Sequence, residues 1–375
     1  MSHSNHNQVC KRCVMDTTAE NINFDAMGVC NFCNDFFKLD RFFTFSSFKK
    51  KELLEDFIKK IKKPKLKYDC IIGLSGGVDS SYTLVKAVEL GLKPLAVHMD
   101  NGWNSELANN NIFNLVKKLN VDLYTHVIDW DEYKNLMLAF FKSDVIDVEL
   151  LYDNAMLGVN FTQALKHKTK FILSGTNTST EGMRIPKNWS WFKNDAKNIK
   201  YLGKKFMNQK LKTFPSYGTF DYIYCEFLKK IKWVTFLDYF DYKKEDALKL
   251  LESKYDFKPY GYKHYESIFT RFYQAYILPK KFGVDKRKLH LSNLIITNQL
   301  DRDKALNILK QSPYPSEDLE KADLTYFLKK MDWTNQDLED YIKRKRVEHS
   351  DYKSELPMWN FLKGVHNMLK IKKNH

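Results

Sequence analysis

The stretch YDCIIGLSGGVDSSYTLVKAVELG, residues 68–91, leaves little freedom of local structure. Residues 70–74 form a short apolar run with the length of a buried strand. Two adjacent glycines interrupt it, and from residue 80 to 90 apolar residues recur at helical spacing. A strand that turns through Gly76 and Gly77 directly into a helix aims the unsatisfied N–H groups and positive dipole end of that helix over the turn. The turn therefore reads as an anion cradle. Ser75 and Ser80 add hydroxyl donors, whereas Asp79 beside phosphates requires an intervening Mg²⁺ or lysine, or loop amides to bind. The Walker pattern G-x-x-x-x-G-K-[ST] is not present here, since no lysine follows the glycines.

The alternation continues along the chain. Strands are predicted at 94–100 (PLAVHMD), 121–128 (VDLYTHVI) and 170–175 (KFILSG), with helices at 105–119 and between 131 and 166. This implies an α/β fold, a doubly wound parallel sheet whose ligand lies at the carboxyl ends of the strands, hence after Leu74, Met99 and Leu173. Two further strand ends are polar in the same way. AVHMDNGWNSE places Asp100 at one, and ILSGTNTSTEG places Gly175, Thr176, Asn177 and Glu181 at the other. Asp100 and Glu181 are candidates for Mg²⁺ or nucleotide, although these residue types are also ordinary loop formers.

The N-terminus has a different character. CKRC and CNFC place Cys10 and Cys13, then Cys30 and Cys33, in two close pairs separated by sixteen residues. Two such knuckles can converge on one tetrahedral Zn²⁺, and four protein thiolates would make the site structural because no position stays open; an iron–sulfur cluster or a redox pair is the alternative for the same spacing. Cys70 and Cys225 are left as small buried hydrophobes. The segment SFKKKELLEDFIKKIKKPKLK reads as a basic amphipathic helix ended by Pro64, and beyond Lys243 helical patterns dominate. The expected organisation is a zinc ribbon-like module at 1–45, a helical connector at 46–67, the α/β domain at 68–242 and a mainly helical region at 243–375.

With 43% hydrophobic residues the chain builds a core without staples, and 61 Lys and Arg against 46 Asp and Glu give a charge of +15 that favours anionic ligands. The start MSHSNHNQVC is polar rather than a signal peptide and no run is long enough to span a bilayer, so a cytoplasmic protein with no membrane partner is expected.

Residues 75–80, SGGVDS, resemble the fingerprint of the PP-loop ATP pyrophosphatases. That resemblance implies that Ser75, Gly76, Gly77, Asp79 and Ser80 grip the β,γ-pyrophosphate of ATP, and that attack falls on the α-phosphorus. The backbone at Asp100 would receive adenine, and Gly175, Thr176, Asn177 and Glu181 would complete the site. Four segments in order, CKRCVMDTTAENINFDAMGVCNFC, IIGLSGGVDSSY, AVHMDNGWNSE and YGYKHYESIFTRFYQAYILPKKFGVDKRKLHLSNLI with LDRDKAL behind it, make the chain similar to the N-acetyl sugar amidotransferases of surface-polysaccharide and nonulosonic acid pathways. The family implies conversion of an acetamido group on a nucleotide-activated sugar into an acetamidino group. ATP, Mg²⁺ and structural Zn²⁺ would be required, with ammonia from a separate glutaminase subunit. Lys263, His264 and Arg271, with Lys280, Lys281, Lys286 and Arg287, gather cations that suit a phosphate or carboxylate of the substrate, while Phe269, Phe272, Tyr273 and Tyr276 at helical spacing read as core. Glu266 suits either orienting a lysine or proton transfer.

Two rivals share parts of this pattern. A tRNA-thiolation enzyme combines paired cysteines with a PP-loop, but it needs thiols beyond those the zinc takes, and no RNA-binding signature accompanies the scattered charge. A zinc-containing scaffold leaves SGGVDS unexplained. Nucleic acid is therefore not the expected partner.

Overall fold

The computed structural model describes residues 8–39, 45–207, 210–260 and 265–373. A five-stranded sheet, β1 (Cys70–Gly73), β2 (Pro94–Asp100), β3 (Leu123–Val127), β4 (Phe171–Ser174) and β5 (Lys232–Thr235), runs in the order β3-β2-β1-β4-β5. All four pairings are parallel. Apart from Gly73 and Ser174 at their carboxyl ends, β1 and β4 are apolar and buried, as central parallel strands covered by helices must be. β3, at the edge, alternates between exposed and half-buried residues. The sheet confirms the doubly wound reading and adds β5, whose four residues KWVT are too few and too mixed in polarity to stand out in the sequence.

Side-chain caps set several helix starts. Ser105 accepts from the Ala108 amide to open Glu106–Leu119, and Asp129 accepts from Glu132 to open Trp130–Lys142. Asn120 closes the first of these in the left-handed conformation. From β1 the chain winds outward to β2 and β3, then recrosses through the helix Leu150–Lys166 to β4 on the other side. Strand order therefore reverses between β1 and β4, and a crevice opens beyond their carboxyl ends.

Helices cover both faces of the sheet. One apolar cluster joins Leu54, Phe57 and Ile61 of the helix Ser47–Ile61 to Leu84, Leu173, Phe236 and Leu251. Phe57 meets Phe171 edge-on at 5.4 Å and stacks on Tyr239 at 5.2 Å, so the basic helix beside the cysteine segment is itself a layer of the domain. A second, larger cluster is continuous from the four cysteines through Ile71 and Leu136 to Phe327 and Tyr341. Phe269, Phe272 and Tyr273 belong to it, which makes the aromatic spacing of this segment a core signal. The helix Ile268–Phe272 widens into a π-helix, Tyr273–Phe282, around Pro279, which has no N–H to give.

The N-terminal segment is tied to residues 288–302 of the helical region. Val14 N donates to Ser292 Oγ at 3.1 Å, and Arg302 donates to the carbonyls of Cys13 and Cys10 at 3.0 and 2.7 Å. Lys288 pairs with Asp16 at 2.5 Å.

The C-terminal region also carries a buried histidine. His349 faces Asn198 Oδ1 through Nδ1 at 2.9 Å, and its Nε2 accepts from the Asp147 amide at 3.2 Å, which requires the neutral ring. Burial pushes its pKa down to about 3. A depressed folded-state value means that the neutral ring stabilises fully above the unfolded pKa of about 6.5 and that this stability is lost as pH falls toward 3. Guanidinium titrations should show the wild-type chain losing about 2 kcal/mol more than His349→Asn between pH 7 and pH 5. Parallel pH profiles for the two proteins would count against this assignment.

Candidate active site

The cleft at the switch point begins at the turn after β1. Gly76 holds φ +84°, and a Cβ there would sit 2.9 Å from the Ala108 carbonyl oxygen, so a side chain is excluded by both conformation and space. Gly77 is the N-cap of the helix Val78–Glu89 and supplies no side-chain cap, which leaves the first-turn N–H groups directed at the cleft. The two serines close the loop on itself. Ser75 Oγ and Ser80 Oγ lie 3.1 Å apart, Gly77 N donates to Ser75 Oγ at 3.2 Å, and Ser80 Oγ donates to the Gly77 carbonyl at 3.2 Å.

Asp79 is held from two directions. Tyr242 donates to Oδ1 and Thr180 Oγ1 to Oδ2 at 3.4 Å. Burial, and then the Asp79 carboxylate itself, push the Tyr242 phenol well up, so it stays a donor at neutral pH. The end of β4 touches the same helix: a Cβ on Gly175 would lie 2.7 Å from Ser80 N. Gly175, Thr176 and Glu181 line the cleft. Asn177 is buried, donates to the Gly175 carbonyl at 3.0 Å and accepts from Thr180 N at 2.9 Å, so it shapes this loop from behind.

At the end of β2 the Asp100 carboxylate turns onto its own loop and accepts from Gly102 N at 2.8 Å, while Asn101 and Asn104 face the cleft. His98 Nδ1 lies 2.8 Å from the Leu74 carbonyl and its Nε2 lies 3.0 Å from Asn104 Nδ2. With burial lowering its pKa, the ring is neutral, donates to Leu74 and accepts from Asn104.

The C-terminal region roofs the loop. Tyr260 donates to the Gly76 carbonyl at 2.9 Å, Ser105 N donates to the Glu266 carbonyl at 2.8 Å, and Glu266 Oε1 comes within 3.4 Å of where a Gly77 Cβ would stand. Beneath this roof the cleft has a volume of about 1140 Å³. Its far wall is polar and paired: Lys286 meets Glu149 at 2.5 Å, Gln274 donates to Glu149 at 2.8 Å, and Lys193 bridges Asp147 and Asp153 at 2.7 and 2.8 Å.

The predicted cations fare differently. Arg271 lines the cleft, but its guanidinium is committed to Asp323 through two bonds of 2.6 Å. Lys286 and Arg287 also line it, whereas Lys281 is turned to Asp144 and to the carbonyls of Tyr341 and Arg344, and Lys280 lies over the Tyr276 ring. Lys263 and His264 lie outside the described residues. Sequence reasoning missed Tyr242, Tyr260, Thr180, Glu149, Asp153, Lys193 and Gln274. Only Glu149 and Asp153, four apart at the start of a helix, left a trace, because the others become partners only through tertiary packing.

At the opposite end of the chain the four N-terminal cysteines are buried with their sulfur atoms all within 4.8 Å of one another. Cys13 and Cys30, and Cys30 and Cys33, are 3.7 Å apart Sγ to Sγ, close to the ~3.8 Å edge of a tetrahedron with metal–sulfur bonds of ~2.3 Å. The amides of Cys13 and Cys30 point at Cys10 Sγ from 3.4 and 3.2 Å, as donors to a thiolate would. The residues fit a metal ion.

A doubly wound parallel sheet with an S-G-G-x-D-S turn at its switch point defines an α/β protein of the PP-loop class. Residues 50–184 match the family model for NAD synthase, and residues 266–366 match that for the C-terminal domain of WbpG-like LPS biosynthesis proteins. The chain joins a PP-loop domain of the NAD synthase type to a WbpG-like C-terminal domain, in keeping with the PP-loop amidotransferase family that its sequence resembles. An uncharacterized protein of Methanocaldococcus jannaschii is 34% identical over 116 residues, which span 30% of this chain and 40% of that relative. Among solved structures, NMN synthetase from Francisella tularensis aligns at 14% identity over 61% of this chain and 93% of its own, with a TM-score of 0.30. The NH3-dependent NAD synthetase from Campylobacter jejuni aligns at 17% identity over 56% and 94%, with a TM-score of 0.29.

Proposed function

We propose that the chain is an ATP-dependent, AMP-forming amidotransferase that converts the acetamido group of a nucleotide-activated N-acetyl sugar or nonulosonic acid into an acetamidino group. The carrying observation is that the glycine turn faces, across one cleft, a polar wall to which the WbpG-like segment contributes Gln274 and Lys286. The turn offers what a pyrophosphate needs: glycines that keep the backbone accessible, an uncapped helix N-terminus and two hydroxyls. Asp79 and Glu181 are among the cleft carboxylates that would hold Mg²⁺, which would offset charge on the phosphates. The tetrathiolate cluster suits a structural Zn²⁺.

The chemistry accounts for the arrangement. An amide oxygen is a poor leaving group; attack by it on the α-phosphorus forms an O–P bond and expels pyrophosphate, which leaves the acetamido carbon joined to AMP. Ammonia adds to that carbon, AMP departs with the oxygen, and loss of a proton gives the amidine. The chain's part is placement and charge stabilisation: the turn fixes the phosphates, and the wall of Glu149, Asp153, Lys193, Gln274 and Lys286 offers donors and acceptors to a polyhydroxylated substrate. Ammonia is mostly protonated in neutral water, which favours delivery from a separate glutaminase subunit. Neither Cys70 nor Cys225 lines the cleft, and both are buried, which weighs against thiolation.

Purified protein with MgATP, an ammonium salt and a panel of nucleotide-activated N-acetyl sugars should release AMP and pyrophosphate and replace amide oxygen by NH, read by mass spectrometry. Release of ADP and orthophosphate, or turnover only with tRNA and a sulfur donor, would refute the reading. Within it, Tyr242→Phe removes one hydrogen bond to a carboxylate, worth about 1.5–3 kcal/mol, so AMP formation should fall roughly ten- to hundredfold with the fold retained. An unchanged rate and an unchanged Mg²⁺ dependence would show that Tyr242 does not position Asp79.

A further inference from the structure

The helix Thr219–Ile223 and its π-helical continuation Tyr224–Leu228 present an apolar stripe to solvent. Phe220, Tyr224, Phe227 and Leu228 follow i, i+4, i+7, i+8 spacing and are 70%, 43%, 50% and 70% exposed, while Thr219 and Cys225 on the other side are buried. Lysines surround the stripe. Lys229 and Lys230 end it, Lys232 opens β5, and Lys166, Lys168 and Lys170 precede β4, all six exposed. Lys170 Nζ donates to the Lys229 carbonyl at 2.7 Å, which brings the two groups together at the amino ends of β4 and β5, the edge of the sheet opposite the cleft. Nearby acids are engaged: Glu226 pairs with Lys232 at 2.6 Å, Asp221 accepts from Gly218 N at 2.9 Å, and Glu355 accepts from Thr219 N at 2.5 Å.

The C-terminal helix Leu356–Lys373 adjoins this face, with Trp359 edge-on to Tyr222 at 4.9 Å. Its Phe361 is 69% exposed. From Leu356 to the end the sequence holds Lys363, Lys370, Lys372 and Lys373 and no Asp or Glu.

We propose that this face is a docking surface for an anionic lipid bilayer, on which the protein lies with its cleft turned away. Aromatic and leucine side chains ringed by lysines are the signature of a surface that enters the headgroup region while its charges meet lipid phosphates. The other occupants fit less well. A second copy meeting the same face would set lysines against lysines, a protein interface is depleted in lysine at its centre, and a nucleic acid, whose bases can stack on the aromatic rings, gives Leu228 no apolar medium to enter. Among the described residues no helix is long and apolar enough to cross a membrane, so the contact is peripheral.

Co-sedimentation of the full chain with vesicles tests this. The protein should partition onto phosphatidylglycerol–phosphatidylethanolamine vesicles, weaken with salt and leave pure phosphatidylcholine vesicles unbound. Lys229→Glu/Lys230→Glu should weaken partitioning by roughly twenty-five-fold or more, at about fivefold per lysine lost, and Phe227→Ser/Leu228→Ser should weaken it by at least about tenfold. Phe227→Trp gives a readout without disrupting the face: its emission should shift blue on anionic vesicles and be quenched by brominated lipid. The proposal is overturned if the wild-type chain ignores anionic vesicles, if all variants partition equally, or if the tryptophan stays in water. A dimer in light scattering that Phe227→Ser/Leu228→Ser dissolves, or tighter binding to RNA than to vesicles, would likewise overturn it.

Discussion

Alanine at Gly175 should reduce AMP formation at least about a hundredfold while the protein remains folded, because a misplacement of roughly 1 Å at a reacting centre costs about that much. The added methyl would sit 2.7 Å from Ser80 N and 2.8 Å from Asp79 C, both backbone atoms that cannot swing aside as a side chain does. Either β4 or the helix start must retreat, and both carry the end of the cleft proposed to hold the phosphates. Overpacking of this kind also costs about 1–3 kcal/mol, visible as a modest fall in Tm. Gly364 supplies the control, since a Cβ there meets nothing within 4 Å and alanine should leave activity intact. Near-normal AMP release from Gly175→Ala, measured with a coupled pyrophosphate assay, would mean that the turn is not where the triphosphate sits.

Removal of the structural zinc proposed for the cysteine cluster should have the largest effect on stability. Structural zinc contributes apparent free energies of about 10–16 kcal/mol in small modules, comparable to the whole stability margin of a domain, about 5–15 kcal/mol. The four thiols are fully buried and continuous with the main apolar cluster, so chelation or Cys33→Ala should unfold more than the first forty residues or so. Elemental analysis should find one zinc per chain, and cobalt in its place should give the charge-transfer bands of a tetrahedral thiolate site. A chain that keeps its melting temperature after exhaustive chelation would refute this role.

How far the sequence carries can be seen residue by residue. The strand, Gly76-Gly77 turn and following helix are legible because a single local pattern dictates each, and the two C-x-x-C pairs are legible because ligand spacing is a local property. β5 is not, since four residues of mixed polarity gain their strand only by pairing with β4. The same limit applies in the site. Tyr242 lies 163 positions from Asp79, and nothing near either residue announces the hydrogen bond. Arg271 shows the converse: its type and place predicted an anion contact, yet Asp323, supplied by a helix some fifty positions on, already binds the Nε–Nη2 edge of the guanidinium through both carboxylate oxygens. Sequence marks residues capable of chemistry, and packing decides which of them are spent on architecture.

The bonds from Arg302 and Ser292 to the cysteine knuckles carry sequence separations of 278 to 292 residues. During synthesis the first thirty residues leave the ribosome long before the segment they must clasp has been translated. Contacts of such span form late and slowly. A nascent chain halted before residue 290 should therefore expose its N-terminal segment to protease, and closure of the ring between the cysteine knuckles and residues 292–302 should be among the last events of maturation.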